Sequence, residues 1–474
     1  MSRTTERTAP ASRIGHWSAC SKLGWAALGT LALLIVAAPA SAVPAFNRQT
    51  GQNCVACHAG GQFPELTAYG RLFKLTGYTL GSRAVPLSAM VVGGYTRTEH
   101  VAGEDASNFP KNGAMTFQGG SVFVAGKVTD NIGVFAQVTY DNYAQQNDQG
   151  EFVGHTSSDN MDFRYADRLI DAHRDLIYGV TVNNNPSVQD VWNSTPAWAY
   201  PYVQSSFQVA PSSDGPLLAG ALAQQAAGGG AYVFWNKKLY AELSLYRTAN
   251  GFFSFMSQGT GNDDQTKLKG ANPYWRVALS HDVGAHSFMA GVFGLDARVY
   301  PDNGEPTGPT SHYRDIGVDA QYQYILDPHA VTVTASYIHE KTTWASSLVD
   351  EGSVTNSRDT TYQVKVKGSY VYDAHYGASL TYFRIGGSTD LALYGGGVDD
   401  SGTPLGSPVT GNLAGNPRTD GFIAELFWLP VQWVRVGAQY WLYDHFNGAS
   451  SNYDGFGRNA RDNNTLFLYV WAAY

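Results

Sequence analysis

Apolar and polar residues alternate with a period of two through most of the chain after residue 86. In residues 331–337, Val, Val, Ala and Tyr alternate with Thr, Thr and Ser, and residues 434–442 follow a similar pattern. Such alternation predicts β-strands with one apolar and one polar face. Strands of about ten residues with this pattern are typical of transmembrane barrels, whose apolar side chains contact lipid and whose polar side chains line the lumen.

The alternation predicts sixteen strands, at residues 86–98, 114–128, 131–142, 160–168, 173–184, 229–236, 238–248, 271–282, 285–299, 311–326, 329–341, 358–372, 375–387, 418–429, 432–445 and 464–474. Tight turns and long loops alternate between them, the long loops at residues 99–113, 143–159, 185–228, 249–270, 342–357, 388–417 and 446–463. Outer-membrane barrels have short periplasmic turns and long external loops. We therefore predict an all-β fold, a bacterial outer-membrane β-barrel of about sixteen strands over residues 86–474. It would contact membrane lipid and have both termini in the periplasm.

A different kind of segment begins the chain. Basic residues precede an apolar run at residues 23–38, and Ala40-Ser41-Ala42 follows the run. This order is typical of a secretory signal with a small-residue cleavage site. The run is shorter than the roughly 20 apolar residues of a transmembrane helix. We predict a signal peptide at residues 1–42.

Two of the three cysteines lie in Cys54-Val55-Ala56-Cys57-His58, and the third, Cys20, lies in the predicted signal peptide. Cys-x-x-Cys-His is the attachment motif of a c-type haem. A zinc site would need further ligands at metal spacing, and a dithiol redox motif would need a thioredoxin-like βαβ pattern. The sequence has neither. We predict one covalently attached haem c, with thioether bonds to Cys54 and Cys57 and with His58 as the proximal iron ligand.

The predicted haem module, residues 43–85, is short for an independent domain. Chains near 40 residues or below seldom fold without a staple or a partner. Pro64 and Gly77 suit the start and end of a helix, and the apolar face of that helix needs a surface to pack on. Because a sixteen-stranded barrel has a wide lumen, we predict that the module plugs the periplasmic mouth of the pore.

The ligand on the other side of the iron is not evident from the module. Residues 43–85 contain no methionine and, besides His58, no histidine. A sixth ligand would come from the barrel, from Lys74 or from water. We name Met90 for this distal position, because strand alternation turns its side chain into the lumen. Met115 and His100 are further candidates.

The chain is acidic, with a formal net charge of −8, which argues against nucleic acid as a partner. Carboxylates in the predicted external loops suit divalent cations, either as an attraction for a donor or as sites for Ca²⁺ or Mg²⁺ among surface lipids. They are Glu99, Glu104, Asp105, Asp263, Asp264, Asp302, Glu305, Asp350, Glu351, Asp399 and Asp400. Charged side chains of both signs are predicted to face the lumen: Asp162, Arg164, Glu242, Arg276, Asp319, Lys365, Lys367, Glu425 and Arg435.

Two further patterns leave alternatives open. The loop at residues 185–228 either folds into the lumen as a constriction or packs on the outer surface. Asp and His occur together at three predicted periplasmic turns, around His173, His329 and His375, and His286 lies at a fourth. Aspartate suits turns for structural reasons, and the alternative is a docking rim for an electron carrier.

Residues 46–58, 63–66 and 69–79 together resemble a known family, the fused monohaem cytochrome–porins of the outer membrane. The best-known members are iron(II) oxidases of iron-oxidising bacteria. The order of leader, haem motif and barrel matches over the whole chain, and residues 183–198 look like a recurrent segment of such cytochromes. The resemblance implies roles for Cys54 and Cys57 as thioether sites and for His58 as the proximal ligand.

Three functions suit this architecture. The first is oxidation of extracellular Fe(II), or of a similar small donor, at a haem held in the pore. Electrons would pass to a periplasmic carrier such as a c-type cytochrome, which is an iron(II):cytochrome c oxidoreductase activity. The second is a redox conduit for another extracellular donor or acceptor. The third is a solute porin with a structural haem.

Overall fold

The computed structural model describes residues 44–61, 64–101, 108–109, 111–146, 151–198, 201–259 and 265–474. The predicted signal peptide and Cys20 lie outside these residues. So do four of the predicted loop carboxylates, Glu104, Asp105, Asp263 and Asp264.

Sixteen antiparallel strands close into a barrel within the described residues. Strands that follow one another in sequence are neighbours, and the first and last strands pair with Val91 opposite Ala472, so the sheet has no open edge. The strands are β1 (Leu87–Thr98), β2 (Ala114–Lys127), β3 (Ile132–Gln146), β4 (Phe152–Ile170), β5 (Asp175–Asn183), β6 (Ala226–Trp235), β7 (Leu239–Thr248), β8 (Asn272–Val283), β9 (His286–Val299), β10 (Ser311–Leu326), β11 (His329–Thr343), β12 (Arg358–Tyr372), β13 (Tyr376–Gly387), β14 (Thr419–Val431), β15 (Val434–His445) and β16 (Thr465–Ala473). The predicted strand number is confirmed.

The predicted loop at residues 143–159 is wrong. β3 continues to Gln146 and β4 begins at Phe152, and these two residues pair with each other. Residues 151–160 carry few apolar side chains, so no alternation marks them as a strand. The backbone ladder forms nevertheless, because its hydrogen bonds depend on main-chain groups and not on an apolar face.

Apolar side chains face outward from the barrel and polar ones face inward, as predicted. Leu279 and Ile316 are 62% and 61% exposed, whereas Arg276 and Asp319 are 0% and 4% exposed. The alternation therefore produces an apolar outer surface and a polar lumen. We call the two ends of the barrel the short-turn end and the long-loop end, and β1 begins and β16 ends at the short-turn end.

Four α-helices lie within the described residues: α1 (Pro44–Thr50), α2 (Cys54–Cys57), α3 (Ala68–Leu75) and α4 (Ser346–Asp350). None of the helices described is long and apolar enough to cross a membrane. The longest, α3, begins at Ala68 and not at the predicted Pro64. Thr67 caps it by accepting a hydrogen bond from the Gly70 N–H at 3.1 Å, a preferred use of threonine.

The predicted end of this helix at Gly77 is confirmed. Gly77 has a φ of +69°, and the Tyr78 N–H reaches back to the Phe73 carbonyl at 2.9 Å. This is the Schellman arrangement, for which a residue without a Cβ is favoured. The rings of Phe73 and Tyr78 meet edge to face with centroids 5.9 Å apart. The chain therefore turns sharply after α3 and keeps its aromatic side chains together.

Residues 44–82, which we call the plug, lie inside the short-turn end of the barrel. Hydrogen bonds and an ion pair connect the plug to strands around the ring: Gln49 to Lys127 of β2, Tyr78 to Asp162 of β4, Arg71 to Gln323 of β10, Glu65 to Lys367 of β12 and Cys54 to Gln432 in the turn after β14. A segment that touches strands on opposite sides of a closed barrel must cross its opening. This placement agrees with the predicted plug.

The loop between β5 and β6 folds into the lumen, which decides between the two alternatives for it. Ser187, Asp190 and Thr195 are 0% exposed. The Asp190 carboxylate accepts hydrogen bonds from the backbone N–H groups of Trp192, Ser194 and Thr195 and lies 3.5 Å from Arg276 Nε of β8. One side chain thus shapes the loop and ties it to the wall. We call residues 184–225 the inserted loop.

Replacement of Asp190 by alanine is expected to loosen the inserted loop. The change leaves three buried N–H groups without their acceptor and removes a carboxylate beside Arg276. The free energy of unfolding in detergent should fall by about 3 kcal/mol, and single-channel conductance should rise. D302A is the matched control, because Asp302 caps an exposed turn through the Gly304 N–H at 2.8 Å. Unchanged stability and conductance in D190A would contradict this role.

Candidate functional site

The Cys-x-x-Cys-His motif forms a single helical turn within the plug. The His58 N–H donates to the Cys54 carbonyl at 2.8 Å, the i to i+4 bond of an α-helix. Residues three and four apart share a helix face, so the turn brings the two thiols and the imidazole together. Cys54 is buried and Cys57 is half-buried.

An extended segment and helix α3 hold this turn from the other side. The Ala59 N–H donates to the Glu65 carbonyl at 2.9 Å, and the Thr67 N–H donates to the Cys57 carbonyl at 2.9 Å. At Gly70 a Cβ would lie 2.1 Å from the Cys57 carbonyl oxygen. Helix α3 therefore packs against the motif at a distance that only glycine permits. The predicted start of the helix at Pro64 fails because residues 64–67 are used for this pairing.

The motif opens onto a cavity between the plug, β3 and the inserted loop. About 680 Å³ of space lies within it, part of it continuous with solvent. Its apolar lining comprises Phe46, Leu66, Phe73, Phe135 and Trp198, and its polar lining includes Asn47, Thr50, Gln52, Asn53, Lys74, Tyr78 and Asn193. Gln52 and Asn53 are exposed, so the cavity has an opening at the short-turn end.

Burial sets the protonation states of the motif. It lowers the pKa of His58 to about 4, with Glu65 acting weakly in the opposite direction. The imidazole is therefore neutral at ordinary pH, the state in which a ring nitrogen binds a metal. Burial, followed by the neighbouring Cys54, raises the pKa of the Cys57 thiol to about 11. The thiol is uncharged, which suits an apolar cavity.

This donor set fits a haem c. Two thiols and a neutral imidazole lie at the edge of a largely apolar cavity. Among the described residues, no group of three or more His, Cys, Asp or Glu side chains is placed to hold a bare metal ion. The residues predicted for haem attachment are thus brought together in one place, beside a cavity with apolar and aromatic lining.

Most of the candidates for a distal ligand do not lie at the cavity of the motif. Met90 faces the lumen as predicted and packs beside the apolar cluster that contains Cys54, but it does not line the cavity. Met115 is 77% exposed on the outer face of β2. His100 lies at the long-loop end, where it pairs with Asp462. Of the four candidate side chains, Lys74 alone lines the cavity.

Most of the predicted lumen charges are buried, and most of them form ion pairs. Arg164 donates to Asp162 at 2.7 Å, and Arg276 donates to both carboxylate oxygens of Asp319, at 3.1 and 2.8 Å. Segments from the plug and the inserted loop share these groups: Arg164 also donates to the Lys74 carbonyl at 3.0 Å. The charges thus hold the interior together and do not line an open water-filled channel at this height.

A second space lies on the long-loop side of the plug, and we call it the vestibule. It contains about 790 Å³, part of it open, between β1–β4 and residues 202–204 of the inserted loop. Its lining includes the polar side chains Gln118, Ser121, Gln137, Thr139, Asp141, Asp159 and Asn160. Met90 and Trp471 also line it, and both pack in the cluster that contains Cys54. The vestibule therefore borders the same apolar cluster that contains Cys54 of the motif.

The turn histidines are parts of an aromatic surface. His286 Nδ1 lies 2.9 Å from the Tyr322 hydroxyl, and His329 Nδ1 lies 2.8 Å from the Tyr370 hydroxyl, with the rings roughly stacked in both pairs. The His173 N–H donates to the Asp171 carboxylate at 2.9 Å, as in an Asp-capped turn. These contacts favour the structural interpretation over the docking rim.

Some of the described loop carboxylates form hydrogen bonds within their own loops. Asp302 and Asp399 accept backbone N–H groups within their turns, and Glu99 accepts from the Tyr440 hydroxyl. No described group of them has the geometry of a cation site. Their role in attracting cations stays a prediction.

Several cavity residues escape the sequence analysis. Phe135 is an ordinary inward residue of β3, and Trp198 and Asn193 reach the cavity only because the inserted loop folds inward. The one available signal is the recurrent segment at residues 183–198, which contains both loop residues. The position of this segment beside the motif could not be predicted from sequence spacing. Residues 58 and 193 are far apart in the sequence, and only the closed barrel brings them close together.

No protein-family model matches the chain, and no curated protein sequence matches it. Similar solved structures include the outer membrane channel DcaP of Acinetobacter baumannii, with 12% identity, TM-score 0.44 and coverage of 82% of this chain and 96% of that chain. Another is Salmonella typhi OmpF in complex with daunomycin, with 12% identity, TM-score 0.42 and coverage of 82% and 97%. A third is an anion-selective porin from Comamonas acidovorans, with 9% identity, TM-score 0.42 and coverage of 82% and 99%.

Substitution of Gly70 by alanine is expected to destabilise the plug, although alanine is the better helix former by up to about 1 kcal/mol. The new Cβ would meet the Cys57 carbonyl and push α3 off the motif. The free energy of unfolding should fall by about 2 kcal/mol, as measured by denaturant titration in detergent. G368A is the control, because nothing lies within 4 Å of a Cβ at that position. If G70A proved as stable as G368A, the close packing of α3 on the motif would be wrong.

Proposed function

We propose that the chain is an outer-membrane electron-transfer protein that carries one haem c in the mouth of its barrel. Cys54 and Cys57 would form the thioether bonds, and His58 would bind the iron. Electrons from a small extracellular donor would reach the haem from the long-loop side and leave to a periplasmic carrier at the short-turn end. The observation that carries this proposal is the opening of the Cys-x-x-Cys-His turn onto an apolar cavity inside the barrel.

The outer surface of the barrel supports a membrane location. Large apolar side chains such as Leu243, Leu380 and Leu426 are more than half exposed on different strands. Monomeric soluble proteins rarely expose apolar surface on this scale. Tyrosine and histidine side chains at the short-turn end, such as the His329–Tyr370 pair, suit the interface between lipid and water, where aromatic girdles of barrels lie.

The position of the cavity supports electron transfer across the membrane. The hydrocarbon layer is about 30 Å thick, so a haem held within the barrel shortens the path from either side. Exposed Gln52 and Asn53 border the cavity at the short-turn end, where a soluble carrier can approach. When bound, the haem supplies one-electron chemistry at its iron. The protein holds the group, excludes bulk water with its aromatic lining and keeps His58 neutral.

The vestibule supports access for a small polar donor. Its carboxylates, Asp141 and Asp159, and its amide and hydroxyl groups suit a hydrated cation. Met90 and Trp471 at its border lie next to the Cys54 cluster, which gives electrons a short route to the motif. The resemblance to cytochrome–porins implies Fe(II) as the donor, with an iron(II):cytochrome c oxidoreductase activity. Other extracellular donors use the same route if they are small and polar.

The packed interior disfavours a solute porin with a structural haem. The plug fills the short-turn end, and the inserted loop places fully buried residues such as Val188 and Trp192 in the middle of the lumen. An open diffusion pore needs continuous water from end to end, and buried ion pairs such as Arg276–Asp319 occupy that space.

Anaerobic mixing of the purified, oxidised protein with Fe(II) in detergent is the first test. We expect rapid appearance of the reduced-haem absorbance, and its loss when a strong Fe(II) chelator is added first. A C54A/C57A variant, which lacks both thioether sites, is the control and should show no covalently bound haem. A haem that dithionite reduces but Fe(II) does not would remove Fe(II) as the donor and leave another redox partner.

Proteoliposomes separate the redox conduit from the porin. Oxidised cytochrome c is enclosed together with an Fe(II)-specific dye, and Fe(II) is added outside. We expect the enclosed cytochrome c to become reduced while the dye stays uncoloured, because electrons cross and iron does not. Vesicles with the C54A/C57A variant should show neither change. Coloration of the dye by the unmodified protein would show that iron itself passes, which contradicts the conduit.

A further inference from the structure

Lys74 is the one lysine or arginine among the described residues that line the haem cavity. It belongs to α3, is 4% exposed, and its Nζ lies 4.2 Å from the centroid of the Trp198 ring. A buried cation beside an apolar cofactor cavity is costly unless its charge is used or compensated. The contacts of its ammonium group show whether the charge is compensated.

Three acceptors surround Lys74 Nζ. They are the carbonyl oxygens of Val188 and Asp190, at 2.8 and 2.6 Å, and Oδ1 of Asn193 at 2.9 Å. The Asn193 amide is oriented by its own Nδ2, which donates to the Pro64 carbonyl at 2.8 Å. The Asn193 amide is therefore oriented with its oxygen, and not its nitrogen, toward the lysine.

This set of acceptors matches a protonated lysine. An ammonium group has three donors and no acceptor, whereas a neutral amine would direct its lone pair at one of the three oxygens. Burial, together with Arg164, lowers the pKa of Lys74 well below its usual range, and Asp162, Asp190 and Glu242 act against that shift. The three charge-assisted contacts stabilise the ammonium form.

Within the described part of the chain, no carboxylate forms an ion pair with Lys74. All three partners are neutral oxygens. The nearest acids have partners of their own: the Asp190 carboxylate faces Arg276 and loop N–H groups, and the Asp162 carboxylate faces Arg164. The charge of Lys74 therefore acts on whatever occupies the cavity.

We propose that Lys74 raises the reduction potential of the bound haem as a fixed ammonium charge and does not ligate its iron. This inference rests on the proposed function. Oxidised haem carries one more positive charge than reduced haem, so a nearby cation in a medium of low dielectric disfavours the oxidised form. The lone pair that an iron ligand needs is absent from an amine that donates three hydrogen bonds.

The expected effect is on the order of tenfold. Unit charges that share a cavity of this size lie within about 10 Å of each other, and Coulomb's law at an effective dielectric constant of about 20 then changes an equilibrium constant by roughly a factor of ten. For a one-electron couple this corresponds to about 59 mV. A raised potential lets the haem accept electrons from a donor that holds them tightly.

The inserted loop supplies all three acceptors, so it positions the charge. Val188, Asp190 and Asn193 span one bend of that loop, and Trp198 further along covers the lysine. The segment that blocks the lumen thus also sets the electrostatics of the cavity.

The test is a spectroelectrochemical titration of the haem in four variants of the full-length holoprotein. K74M removes the charge with similar side-chain length, and K74R keeps the charge. N193D places a carboxylate against the ammonium and provides the same test should methionine at position 74 prevent folding. K238M is the matched control, because it removes a lysine charge from an exposed turn at the same end of the barrel.

We expect the equilibrium constant for reduction to fall about tenfold in K74M and in N193D, a drop of about 59 mV, and to stay close to that of the unmodified protein in K74R and K238M. The ligation and spin-state spectrum should be unchanged in all four. Unchanged potentials in both K74M and N193D would overturn the charge effect. A changed ligation spectrum in K74M would also overturn the proposal, because it would show that Lys74 ligates the iron. Both results leave the proposed function intact, whereas the absence of covalent haem from the unmodified protein would refute that function and this inference together.

Discussion

The polar lumen is the constraint on which the rest of this structure depends. Period-two alternation makes the outside of the barrel apolar and necessarily turns charged and polar groups inward. Those groups cannot be left without partners, and here the plug and the inserted loop provide them, as when Arg164 donates both to Asp162 and to the Lys74 carbonyl. The lumen is thus filled by polar contacts and not by an apolar core.

The sequence predicts the barrel well because its signal is local. Each strand shows its own alternation and its own turn, so the strand number and the inward direction of Met90 follow without knowledge of the closed sheet. The motif at residues 54–58 is equally local. The start of α3 is missed because residues 64–67 pair with the motif across a turn, and the hairpin of β3 and β4 is missed because its outer part has polar residues on both faces.

The environment of the motif could not be predicted, because it is assembled from distant parts of the chain. Asn193 and Trp198 reach the cavity through a loop whose direction has no signature in its composition. That direction follows from the partners it finds: Arg276 for the Asp190 carboxylate and Gln321, whose amide donates to the Trp192 carbonyl at 3.1 Å. Only a closed barrel with those groups inside presents them to the loop.

A protein that moves electrons through a barrel must pass charge without passing solutes, and under the proposed function the same residues serve both needs. The inserted loop closes the lumen because its carbonyl groups and the Asp190 carboxylate are bound by buried cations. One of those cations is Lys74, which belongs to the plug and lines the haem cavity. A looser loop would therefore have two effects together: water would reach the cavity, and the electrostatic field of the lysine in the cavity would weaken. The proposed haem potential is thus linked to the closure of the lumen, since water that enters a low-dielectric site screens the charges within it.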